Sequence, residues 1–381
     1  MRRAGFVLGL ALLTGISIGA ETRKGPITAP LEENEDGYLI LRVRLHDRAG
    51  RARTFRFLLD TGAATTMIDT SVPSRFFWDV RGVQAKTVDG TAQEAAAQAV
   101  TLKRVDVSGL VRDEVPAMRA DLKHSMMGRM QDEPVDGILG MSFLRNTRFL
   151  LDAARKQVLW GADFPDGPCH RIQIGPDDHA YLDLTVGGSV VRAVLDTGNG
   201  GGFILPKRLA PEAGGAPSGV GTGMHGGFIP TYRARLDIST GGRSWSSAPV
   251  RLEDSEESAN LGLRIFKAGP TFFDFTFKLV VLPAAGEDHW AILPEEPARN
   301  LTLAWHREGR KAWLEVLHLV PGSAFDRAGL RAGDRLERVG PYEGRALTLR
   351  TADLIIASPK PQAWIIQREG GTLRLEVAPS R

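Results

Sequence analysis

One segment plan is written twice in this chain, an internal duplication, so the fold is expected to hold two similar units. In the first copy Leu39, Leu41, Val43 and Leu45 alternate with mostly polar neighbours, the pattern of a half-buried strand. A turn through Asp47 to Gly50 leads into Phe55-Arg56-Phe57-Leu58-Leu59, which ends in Asp60-Thr61-Gly62-Ala63. The second copy carries Leu182, Leu184 and Val186, turns at Gly187-Gly188, and runs from Val190 to Leu195 into Asp196-Thr197-Gly198-Asn199. A glycine turn follows each aspartate by 30 residues, at Asp89-Gly90 and at Gly226-Gly227, and each reads as a hairpin tip. The copies also close alike. Leu139-Gly140, Phe143-Leu144, Asp152, Lys156 and Val158 recur as Leu261-Gly262, Ile265-Phe266, Asp274, Lys278 and Val280 at an offset of 122. The aspartates are offset by 136, so the first copy holds 14 extra residues, expected between Asp113 and Pro134.

The duplicated aspartates, Asp60 and Asp196, are the candidate catalytic residues. Two carboxylates brought together by symmetry cannot both ionise, because like charges a few Å apart repel; they share one proton. The ionised member can take a proton from water while the protonated member donates to a carbonyl oxygen, which hydrolyses an amide without metal or covalent intermediate. Thr61 and Thr197 are expected to hydrogen-bond across the symmetry axis and fix the two loops. Gly62 and Gly198 let backbone amides approach the carboxylates closely.

Composition excludes several alternatives. With 43% hydrophobic and 24% charged residues the chain is neither disordered nor fibrous, and 381 residues suit two or three domains. Forty-three glycines without a triplet period point to many tight turns and a mainly β protein. Cys169 is the single cysteine, so neither an internal disulfide nor a multi-cysteine metal site is available, and the 8 histidines are dispersed without ligand spacing. No metal and no cofactor are expected. Residues 1–20 read as a secretory signal: Arg2 and Arg3 precede an apolar run from Phe6 to Ile18, and Ile18-Gly19-Ala20 resembles a cleavage site. Two of the three net positive charges leave with it, which removes the argument for a nucleic-acid partner. No membrane span is expected after cleavage, and a periplasmic or secreted location follows.

Residues 37 to 290 resemble a bilobal aspartic peptidase of the bacterial pepsin and retropepsin-like group. The resemblance rests on Leu58-Leu59-Asp60-Thr61-Gly62-Ala63, on Val194-Leu195-Asp196-Thr197-Gly198, and on the closure Ile138-Leu139-Gly140. It implies two β-barrel lobes, at 37–164 and 165–290, a closing segment threaded beside each catalytic loop, and a peptide or protein substrate. It also implies that the hairpin through Val88, Asp89, Gly90 and Thr91 is a flap over that substrate. Asn199 stands where the group usually has Ser, Thr or Ala, and Asn260 where a hydrophobic residue is usual. These departures support a second reading, a catalytically inactive peptide-binding protein on the same scaffold. Ala63 has no hydroxyl to donate to Asp60, so the dyad should titrate higher than one with serine there.

A linker, Pro294-Glu295-Glu296-Pro297, separates the lobes from a module at 298–381. There a strand from Trp313 to Val320, a short helix ending at Ala328-Gly329-Leu330, a second helix at Thr348 to Ala357 and a hairpin turned at Gly370-Gly371 are expected. The run from Val320 to Leu336 resembles bacterial PDZ domains, which implies a β-sandwich with two helices. The resemblance implies a nest for a peptide's C-terminal tail near Asn300-Leu301-Thr302-Leu303, which lacks the usual glycine, and a groove beside the second helix; a purely structural module is the alternative. Gly221-Thr222-Gly223-Met224-His225-Gly226 matches a dinucleotide fingerprint as a string, but the strand-like alternation after it fits a glycine-rich flap of the second lobe. His225 at its tip reads as a solvated loop histidine, and Glu253 to Glu257 as a solvated acidic loop.

Overall fold

A computed structural model describes residues 25–34, 36–89, 91–213, 217–254, 259–283 and 300–378. The signal sequence, Gly90, most of the acidic loop and the Pro-Glu linker lie outside the described residues. The chain is mainly β. The described strands form one sheet of thirteen, one of eight and one of six.

Period-two patterning does what the sequence asks of it. In strand Leu39–His46 the side chains of Leu41, Val43 and Leu45 are fully buried, while Arg42 and Arg44 between them are exposed. This strand pairs with Ala52–Leu59, which delivers Asp60 at its end. In the second half Ala180–Val186 pairs with Ser189–Asp196 around Gly187 and Gly188, both at positive φ (55° and 81°) as a two-residue hairpin turn requires. Each aspartate-bearing strand then receives the closing strand alongside it in parallel. Leu58 sits opposite Ile138 and Leu59 opposite Leu139; Val194 sits opposite Asn260 and Leu195 opposite Leu261.

The halves are stitched through the thirteen-stranded sheet, where Arg148–Asp152 of the first pairs antiparallel with Thr271–Asp274 of the second. Leu150 faces Phe272 in that ladder. These two residues are counterparts at the offset of 122, so the pseudo-twofold axis passes between them. Phe149 stacks on Phe273 beside the axis with ring centroids 5.0 Å apart, and one hydrophobic core runs through both halves. Packing of this kind, with each fully buried aromatic or aliphatic side chain contributing about 1.5–3 kcal/mol, holds the lobes together without a disulfide.

Eleven of the 14 extra residues of the first half fall after Ala120, because Asp113 to Ala120 continue the strand Leu110–Ala120, the counterpart of Arg243–Glu253 at an offset of 133. Sixteen residues, 121–136, separate that strand from Gly137–Leu139, whereas five separate Arg243–Glu253 from Ala259–Gly262. The insertion holds a short helix, Met126–Arg129, capped by the Ser125 hydroxyl.

The six strands at 301–377 hydrogen-bond as one sheet around a core of their own that includes Phe325 and Trp364. The expected elements are present as strand Lys311–Leu319, helices Ala324–Arg327 and Leu349–Ile356, and the hairpin Gln362–Arg368 with Gly371–Val377. Gly329 follows the first helix at φ 89°, a left-handed stop, and Thr348 with Thr351 forms a capping box on the second. Among the described residues no helix is long and apolar enough to cross a membrane.

Candidate active site

The two aspartate loops meet at the same axis. The Thr61 hydroxyl donates to the carbonyl of Leu195 (2.7 Å) and accepts the N–H of Thr197 (3.1 Å); the Thr197 hydroxyl donates to the carbonyl of Leu59 (2.8 Å) and accepts the N–H of Thr61 (3.0 Å). Both threonines have no solvent exposure, so these four bonds are the only way to satisfy those groups. The sequence expectation for Thr61 and Thr197 agrees with this geometry.

Gly62 and Gly198 do more than expected. The Gly62 N–H donates to the Asp60 carboxylate and the Gly198 N–H to the Asp196 carboxylate, each at 2.9 Å. In addition, each glycine lies against the aspartate of the opposite lobe. A Cβ on Gly62 would come within 2.3 Å of Asp196 Cγ, and one on Gly198 within 2.3 Å of Asp60 Cγ. No other residue leaves room for the carboxyls to meet.

Asp60 and Asp196 do meet, sharing a hydrogen bond while each keeps a partly exposed edge. Burial pushes Asp60 above the ordinary carboxyl range, against the opposing pull of the Gly62 N–H and of the bond to Asp196. Burial and then the neighbouring Asp60 charge push Asp196 well above it. Both carboxyls are raised and each acts on the other, so the pair holds one proton between them.

The closing glycines are equally constrained. The N–H of Met141 donates to the Ala63 carbonyl and that of Leu263 to the Asn199 carbonyl, both at 2.7 Å, and a Cβ on Gly140 or Gly262 would strike the aspartate loop at 2.6 or 2.2 Å. Asn199, the off-pattern residue, turns its side-chain carbonyl to the Gly201 N–H (3.0 Å), while its own backbone N–H supports Asp196. The loop is thus tied by a local hydrogen bond. Asn260 is half-buried opposite Val194.

Two residues beside the dyad were not singled out by the sequence reading. The register of the first hairpin in each half places Ile40 opposite Leu58 and Tyr181 opposite Val194, which makes Tyr38 and His179 counterparts at an offset of 141. The Tyr38 hydroxyl lies 3.1 Å from where a Cβ on Gly200 would sit, over the second aspartate loop. His179 belongs to the turn that crosses toward the first loop, and its charge is among the influences that lower Asp60. Both turns are clamped from the opposite lobe by counterpart cations. Lys267 pairs with Glu33 and bonds the Gly37 carbonyl (3.1 Å), and Arg145 pairs with Asp178.

The expected flap is a hairpin of strands Phe77–Val88 and Glu94–Val107. Val88 is exposed, and Asp89 organises the turn by accepting from the Thr91 hydroxyl (2.6 Å) and the Thr91 N–H (2.9 Å). Ala92 takes the left-handed conformation there, at φ 59°. The glycine-rich segment of the second half is also a hairpin, Gly219–Thr222 with Phe228–Thr240, and the tips touch. The His225 N–H donates to the Asp89 carboxylate (2.6 Å), and His225 Nε2 lies 2.9 Å from the Thr87 hydroxyl. His225 is therefore half-buried between hairpins and is not the solvated loop residue expected. Asp89 and His225 are counterparts at the offset of 136, so their contact lies on the pseudo-twofold axis, as the threonine pair does. The hairpin tips and the dyad share one axis. Although burial acts to raise Asp89, the Thr91 hydroxyl and the backbone N–H groups of His225, Thr91 and Gln93 outweigh it and hold the carboxylate below its usual range.

Among the described residues no group of three or more His, Cys, Asp or Glu side chains is placed to hold a metal ion. Residues 42–143 match the family model described as aspartyl protease, and no curated protein matches the chain. The matched segment runs from the first strand of the first hairpin through Asp60 and the Asp89 turn to the closing helix Met141–Leu144. The first half of the pseudo-symmetric pair thus carries an aspartyl protease-like domain.

Proposed function

We propose that the chain is an exported aspartic endopeptidase, and the observation that carries this reading is the meeting of Asp60 and Asp196, one from each half, between loops tied by Thr61 and Thr197. In this mechanism the ionised Asp60 accepts a proton from a water molecule as its oxygen bonds to the scissile carbonyl carbon. Asp196 gives its proton to the carbonyl oxygen, producing a neutral tetrahedral diol. One carboxyl then supplies a proton to the amide nitrogen while the other recovers one from the diol. The C–N bond breaks, and the pair returns to a single shared proton. Removing both carboxyls from bulk water favours this exchange, because burial raises them above the ordinary carboxyl range and keeps a proton in the pair.

The peptide lies between the aspartate loops and the paired hairpin tips, which exclude water once they close over it. The leader at 1–20 sends the protein to the periplasm or the exterior. The C-terminal module resembles a PDZ domain and serves substrate or partner peptides through the groove beside helix Leu349–Ile356. The inactive-scaffold alternative drew on Asn199 and Asn260; Asn199 keeps its backbone donor on Asp196 and so leaves the carboxylate cradle intact.

The test is digestion of a peptide library across pH 3 to 8 by the wild type and by Asp60→Asn. The reading expects cleavage by the wild type and its loss in the variant. A folded wild type that cleaves nothing, or equal cleavage by both, contradicts it.

A further inference from the structure

The 121–136 segment is 11 residues longer than its counterpart in the second half, and its contacts lead in two directions. Toward the C-terminal module, the Asp132 carboxylate accepts the Trp305 indole N–H (2.7 Å) and the backbone N–H groups of Leu349 (2.9 Å) and Arg350 (3.5 Å) at the start of helix Leu349–Ile356. The Arg307 guanidinium donates to the Gln131 carbonyl (2.9 Å), and Arg129 donates to the Trp305 carbonyl (3.1 Å) and pairs with Glu315. Toward the second-half hairpin, the Met127 N–H reaches the Met224 carbonyl (3.4 Å), and Met126 Cε lies 3.6 Å from where a Cβ on Gly226 would sit. The module also touches that hairpin directly, with His318 stacked on Phe228 at 4.8 Å.

We propose that the C-terminal module anchors the cover over the aspartate pair: docked through Asp132, it holds the second-half hairpin and, through the His225–Asp89 contact, the first. Undocking the module loosens both tips and opens the cleft. Length favours coupling. Seven residues, 126–132, carry both sets of contacts, and the helix Met126–Arg129 itself bears both, with Met126 and Met127 on the hairpin and Arg129 on the module. Charge favours it as well. A carboxylate beside a helix N-terminus and an indole N–H makes stronger bonds than a neutral acceptor, and Asp132 takes three of the dock's bonds.

Hydrogen exchange followed by mass spectrometry on the full chain tests this, and it reads the cover whether or not the protein cleaves peptides. In Asp132→Ala, exchange should rise by about tenfold in segments 300–308 and 347–352, and also in 86–95 and 222–228, with Asp132→Asn between it and the wild type. Trp305→Phe removes only one of the three donors and should move the same four segments in the same direction, which keeps the test available if the alanine variant folds poorly. Faster exchange in the module segments with unchanged hairpins would overturn the coupling. No change in any of the four would overturn Asp132 as the hold.

Discussion

Replacing Thr61 by valine removes one hydroxyl and almost no volume, and it strikes the bonds that hold the two aspartate loops together. That hydroxyl donates to the Leu195 carbonyl at 2.7 Å and accepts from the Thr197 N–H at 3.1 Å, in a site with no solvent exposure. Valine keeps the branched shape and fills the same space, so packing changes little. Two opposite-lobe backbone groups lose their partners where no water replaces them. Each orphaned group costs about 1–3 kcal/mol, so the variant should lose about 2–6 kcal/mol of stability. Thr61→Ser is the control: it keeps the hydroxyl and deletes one methyl group, at a cost of about 1 kcal/mol. Urea unfolding of the full chain, followed by tryptophan fluorescence, measures both. If serine costs more than valine, the methyl contact and not the cross-lobe hydrogen bonding holds the loops, and the reasoning fails.

Other outcomes follow from the same geometry. Asp196→Asn should stabilise the protein at neutral pH, because it removes an acid whose folded-state pKa is raised. Such a group favours the folded state fully below the ordinary carboxyl value, and that contribution is lost as pH rises toward the raised one; unfolding at pH 4 and pH 8 should therefore show the variant's advantage growing with pH, and an equal gap would refute it. Gly62→Ala pushes a Cβ to 2.3 Å from Asp196 Cγ and should cut cleavage by about a hundredfold or more through misplaced carboxyls, so near-normal rates would show that the loops have slack. His179→Gln removes a charge that lowers Asp60, so the acidic limb of the pH–rate profile should move to higher pH; an unmoved limb would separate His179 from the dyad.

The parts of the site that the sequence shows are those written locally. A strand running into Asp-Thr-Gly puts the carboxylate, its hydroxyl neighbour and the close-packing glycine within three residues, and duplication pairs the copies. Tyr38 and His179 escaped notice because the first hairpin is five residues longer than the second, which shifts their offset to 141, away from the 136 of the aspartates. Once strand register aligns the hairpins, the pair stands out. His225 was misread because its partner Asp89 lies 136 residues away, and loop composition carries no trace of such a contact. Asp132 has the same difficulty, since the helix it caps begins 217 residues later. The insertion could be counted from the offsets, but its attachment to the C-terminal module depends on tertiary placement.

The claim that Asp60 and Asp196 direct water onto a peptide bond is tested most directly by cleavage in ¹⁸O-enriched water, with products read by mass spectrometry after one turnover. The wild type should place one heavy oxygen in each newly formed carboxyl group, with no covalent peptide–protein adduct, and neither Asp60→Asn nor Asp196→Asn should give product. Cleavage that persists in both variants, or a trapped acyl adduct, would contradict the shared-proton pair as the source of the chemistry.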